Sequence, residues 1–176
     1  MSFDQKNPNP KEAFRAFLEK AESDSWIAAY TWFSAESFGQ LKSKMKKIKE
    51  GFSRTHKKGT DGLWWGLEVE AHFGTVVGVD LELLMERPIL EKPDWITTRL
   101  GMSRTSTPKQ ILEEWSLRES SFKAFAPNNE KILLSQFRRT APNTFSLLSA
   151  TGERSVQTRA SWSSRWVATL AWRSTT

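Results

Sequence analysis

The stretch VVGVDLELL (residues 76–84) has the apolar content of a buried strand, yet Asp80 and Glu82 interrupt it. Side chains alternate across a strand, so Gly78, Asp80 and Glu82 share one face. Val77, Val79 and Leu81 share the other, which is predicted to enter the core. The acids could simply face solvent. Two carboxylates one pleat apart, with a glycine leaving room beside them, also suit a hard cation. Magnesium takes oxygen ligands and keeps waters and substrate phosphates as the remainder. A third carboxylate from a neighbouring helix would complete the protein's share.

A candidate for that helix lies downstream. Thr107-Pro108-Lys109-Gln110 combines a Thr-x-x-Gln capping box with proline in the first turn, which predicts a helix to about Ala126, before Pro127-Asn128. Glu119 and Lys123 are four apart on it and share a face, with Trp115 one turn earlier. An exposed ion pair is the commonest outcome of that spacing.

Upstream of the opening stretch the period is two. Leu63, Trp65, Leu67, Val69, Ala71 and Phe73 alternate with Trp64, Gly66, Glu68, Glu70 and His72. Gly74 is expected to turn this strand into residues 75–83 as a hairpin. Asn9-Pro10 starts a first helix, with Phe14, Phe17 and Leu18 on its apolar face. Residues 25–33 (SWIAAYTWF) read as a strand or a short packed segment. Ser34 is the expected cap of a second helix running to about Glu50 and stopped by Gly51. Phe38, Leu41, Met45 and Ile48 mark its buried side, and Lys42, Lys44, Lys46, Lys47 and Lys49 occupy the rest. Such a lysine face is often merely solvated. Residues 87–108 read as a loop with one short helix near Trp95. Strands follow near 132–138, 145–149, 155–162 and 165–172, with a hairpin turn at Thr151-Gly152.

A chain of 176 residues with 38% hydrophobic content can bury one core. Cysteine is absent, which excludes disulfides, thiolate metal sites and cysteine nucleophiles. The N-terminal MSFDQKNPNPKEAF is polar and no apolar run could span a bilayer, so a soluble, cytoplasmic protein without membrane partners is expected. The net charge of +6 points to an anionic partner. Nine tryptophans could stack on bases, although tryptophan more often forms core or pocket wall.

VGVDLE (77–82) followed by WSLRESSFK (115–123) resembles the paired signature of 4′-phosphopantetheinyl transferases. The first half of that signature reads roughly (I/V)-G-(I/V)-D-(I/V/L)-E, the second W-(S/T/C)-x-K-E-(A/S)-x-x-K. Phe52-Ser53-Arg54-Thr55-His56 is similar to the F-N-x-S-H-S motif of the larger, surfactin-type members, with Thr55 for its serine and Lys57 for its last serine. Residues 165–172 (RWVATLAW) look like the closing strand of those enzymes. Arg118 stands where the family usually has lysine. The resemblance covers about residue 52 to the C-terminus.

The resemblance implies an α+β fold of two pseudo-twofold halves, each a small antiparallel sheet packed on a long helix. Residues 1–74 would form a shortened N-terminal half and 75–176 the half with the metal motifs, as one monomeric pseudodimer with the cofactor between halves. It implies magnesium-dependent transfer of phosphopantetheine from coenzyme A to a serine of an acidic apo carrier protein. Asp80, Glu82 and Glu119 would hold the metal, and Glu119 and Lys123 would be catalytic. Thr55, His56, Arg118 and Lys123 would contact coenzyme A. Lys46 and Lys49, on the lysine helix, are taken as substitutes for the family's contacts to the terminal phosphate. A metal-dependent nuclease or a non-catalytic nucleic-acid binder are the alternatives. The nuclease commonly sets acid and lysine two apart on a strand, and the binder gives no reason for the acids to meet.

Overall fold

In the computed structural model the described residues are 9–45, 51–84, 93–125, 134–149 and 152–175. They form an α+β protein with two antiparallel sheets. Helices α1 (Pro10–Ala13) and α2 (Arg15–Ser23) lead into β1 (Ala29–Ala35), α3 (Phe38–Lys44), β2 (Phe52–Lys58) and β3 (Trp64–Glu70). Strand β4 (Thr75–Leu83), α4 (Pro93–Leu100) and α5 (Pro108–Phe125) follow, then β5 (Phe137–Ala141), β6 (Thr144–Ser149), β7 (Gly152–Ser163) and β8 (Trp166–Ser174).

The strand orders are β1-β3-β2 and β4-β8-β7-β6-β5. The same winding therefore occurs twice. A strand is followed by a helix, the last strand of the unit pairs beside the first, and the intermediate strand lies outside it. In the larger sheet the β5–β6 hairpin is added at the free edge.

Both sheets feed one core. Leu67 and Val69 of β3, Val79 and Leu81 of β4, and Trp166 and Leu170 of β8 meet Phe14, Leu18 and Ile27. Each such large apolar side chain contributes about 1.5–3 kcal/mol when buried. Trp65 and Trp166 are core residues, and Trp26 stacks on Trp172 at 4.6 Å, so these tryptophans serve packing. Among the described residues no helix is long and apolar enough to cross a membrane.

Several local expectations hold. Asn9 caps α1 through the Glu12 amide. Thr107 and Gln110 make the reciprocal capping box of α5. Strands β6 and β7 pair from Ser149↔Gly152 outward, as a hairpin requires.

Four expectations are corrected. The cap of α3 is Ser37, with Gln40 completing the box, because Ser34 and Ala35 still pair with β3. That helix ends at Lys44 rather than near Glu50. Met45 turns extended and buries with Ala35 and Leu41 beneath Gly66, where any Cβ would lie 2.6 Å from its sulfur. Residues 63–73 and 75–83 do not form a hairpin. Gly74 does turn the chain at φ +76°, but it passes from one sheet to the other. Both edges of β3 are already taken by β1 and β2, so β4 pairs with β8 instead. The strand expected at 132–138 begins only at Phe137, after a 3-10 turn at Leu134–Gln136.

Candidate functional site

Strand β4 is buried on both faces, and Asp80 and Glu82 are only 5% and 7% exposed. The reason lies in α5. Ser116, Ser120 and Ala124 recur every four residues and form a small-residue stripe of zero exposure. The helix settles so closely on Gly78 that a Cβ there would lie 1.8 Å from the Ser120 carbonyl oxygen. Only glycine permits this approach, and the approach brings the two distant motifs together.

Asp80 is held by three side chains from two elements, α5 and β2. Lys123 Nζ donates to its Oδ1 at 2.8 Å, Thr55 Oγ1 to the same oxygen at 3.2 Å, and Ser116 Oγ to Oδ2 at 2.9 Å. Lys123 also donates to the Val79 carbonyl at 2.9 Å. The Thr169 hydroxyl of β8 fastens α5 by donating to the Ser116 carbonyl.

The other edge of β4 faces β2. Hydroxyls replace a partner strand there: Ser53 Oγ accepts from the Val79 amide at 3.0 Å and Thr55 Oγ1 from the Leu81 amide at 3.2 Å. Lys57, next on that face, pairs with Glu82. Ser53, Thr55 and Lys57 thus form a row along β4, set by the period of two.

Glu119 joins this cluster electrostatically. Burial raises its pKa above the usual carboxylate value. The charges of Asp80 and Glu82 push the same way, opposed by Lys123 and Lys57. Three carboxylates therefore face only two ammonium groups. Among the described residues no three Asp, Glu or His side chains stand close enough to form a finished metal site. Oxygen-only donors with excess negative charge nevertheless match the chemistry of a hard divalent cation.

On the opposite face of β2, His56 stands 4.7 Å from the Phe38 ring, which also meets Trp64 at 4.9 Å. Desolvation, then the charges of Lys123, Lys57, Arg54 and Lys42, hold the His56 pKa below its ordinary value. Beside it opens a cavity of about 440 Å³ lined by Phe38, Leu41, Lys42, Met45, Arg54 and His56.

The structure thus gathers Asp80, Glu82, Glu119, Lys123 and Thr55, with His56 behind them. It does not bring Arg118 to the cluster. That guanidinium is buried on another side of α5, donating to Glu114 at 3.0 Å, the Leu100 carbonyl at 2.7 Å and the Leu134 carbonyl at 3.2 Å. Expected on coenzyme A, it instead ties α5 to α4 and to the 3-10 turn here. Lys46 and Lys49 lie outside the described residues. Thr55, expected on the cofactor, spends its hydroxyl on Asp80 and the Leu81 amide. Sequence reasoning missed Ser53, Lys57 and Ser116 as site-building residues. Alternation along β2 (53, 55, 57 against 54, 56, 58) was the available signal.

No protein-family model and no curated protein matches the chain.

Proposed function

We propose that this protein transfers the 4′-phosphopantetheine arm of coenzyme A to a serine of an acidic apo carrier protein, releasing adenosine 3′,5′-bisphosphate. The observation that carries the reading is the 2.8 Å bond between Lys123 and Asp80, which joins VGVDLE and WSLRESSFK in one buried cluster. The doubled strand–helix–strand winding around a shared core supports the two-halved, pseudo-twofold fold that this activity implies.

Asp80, Glu82 and Glu119 would hold magnesium, which when bound neutralises charge on phosphate oxygens. The reaction breaks a P–O bond of the pyrophosphate and forms a new P–O bond to the serine. Glu119, with its raised pKa, is suited to accept the serine proton. Lys123, whose ammonium is only partly buried, stabilises the negative charge left on the departing bisphosphate. The cavity beside His56 is aromatic on one wall and cationic on another, which suits the nucleotide end of coenzyme A. With its lowered pKa His56 is neutral at pH 7 and serves as a hydrogen-bond partner rather than a charge. The net charge of +6 favours encounter with an acidic carrier.

The test is mass spectrometry of apo carrier proteins incubated with the protein, coenzyme A and magnesium. The expected result is a phosphopantetheine mass gain that EDTA and Asp80→Ala both abolish. No gain on fatty-acid, polyketide or peptide carriers would overturn the assignment.

A further inference from the structure

The cluster contains two ammonium groups with different attachments. Lys123 is fastened to the Val79 carbonyl as well as to Asp80, so it is a fixture of the β4–α5 contact. Lys57 comes from the other sheet and meets Glu82. Its side chain is 17% exposed, against 9% for that of Glu82, so its flexible stem has a way out towards solvent. The resemblance leads one to expect a neutral serine at this position.

Resting on the reading that Asp80, Glu82 and Glu119 hold a divalent cation, we propose that Lys57 is a resident counter-ion that competes with that cation for Glu82. A carboxylate as buried as Glu82 needs a compensating charge at all times. Lys57 supplies it when no cation is bound and holds the carboxylate in position. A divalent cation arriving at the same oxygens meets a like charge that must swing away. Lys57 therefore lowers the site's metal affinity while keeping the empty site folded.

Titration calorimetry of Mn2+ alone into wild type, Lys57→Met, Lys57→Ser and Lys57→Arg tests this. Loss of one like charge at this range corresponds to about tenfold or more in affinity. Lys57→Met is expected to bind Mn2+ at least that much more tightly than wild type. Lys57→Ser serves as the second removal variant if the methionine variant fails to fold. Lys57→Arg keeps the charge and is expected to bind no more tightly than wild type. A folded methionine or serine variant with wild-type or weaker affinity overturns the inference and leaves the metal-site reading standing. Absence of Mn2+ binding in wild type and in both removal variants overturns the metal site and the inference together.

Discussion

Helix α5 carries two acid–base pairs at the same spacing, and they have opposite fates. Glu114 and Arg118 bond each other at 3.0 Å, and Arg139 adds a second contact to Glu114 at 2.9 Å. With Leu100 and Leu134 accepting from Arg118, this is a closed structural knot. Glu119 and Lys123 are also four apart, but Lys123 bonds Asp80 instead, and Glu119 is left with an ionised form that its surroundings disfavour. Spacing alone does not decide which pair is inert. The difference comes from what lies opposite: backbone carbonyls and an arginine in the first case, two more carboxylates in the second.

Four substitutions sharpen or break this contrast, in decreasing order of their effect on stability. Gly78→Ala drives a methyl into the Ser120 carbonyl and pushes α5 off β4. It is expected to cost more than about 4 kcal/mol in urea unfolding and to abolish transfer. Arg118→Leu leaves the buried Glu114 short of a partner and should cost about 3–5 kcal/mol. Its effect on transfer should follow only from the fraction unfolded. Full stability with lost transfer would erase the distinction between the two pairs.

Thr55→Val removes the acceptor of the Leu81 amide and a donor to Asp80. An unsatisfied buried group costs about 1–3 kcal/mol, readable as a lower urea midpoint. Freed on one side, the Asp80 carboxylate should also bind Mn2+ more weakly. Glu119→Gln has the smallest effect on stability and the opposite sign. Because its pKa is raised, the folded protein holds this proton more tightly than the unfolded chain. The resulting stabilisation is present at acid pH and is lost as pH rises from the ordinary glutamate range through the folded pKa. At neutral pH the variant should melt at a higher temperature than wild type, read by calorimetry. Transfer should fall by about 10²–10⁴. A melting temperature below wild type would show that Glu119 is well compensated and not a strained group.

Much of this was readable in advance, for reasons that can be given residue by residue. The alternation in VVGVDLELL put Asp80 and Glu82 on one face, and the capping box announced where α5 begins. The partner of β4 was not readable. Gly74 marks a turn whether the chain folds back on itself or crosses to another sheet, since a positive φ says nothing about which edge is free. The direction of Arg118 was not readable for a similar reason. A cation inside a motif looks like part of the site, but on a helix it points some 100° away from Glu119.

The sequence by itself determined the elements with strong periods, the carboxylate face of β4 and the helix that carries Glu119 and Lys123. These depend on local geometry, which recurs every two or 3.6 residues. Only the tertiary structure decided that β4 is flanked by β8 and by the hydroxyls of β2, that Gly78 is the contact point for α5, and that Lys57 closes on Glu82. Each of these joins residues at least 25 positions apart along the chain. No local preference encodes such pairings; competition among edges and faces for burial selects them.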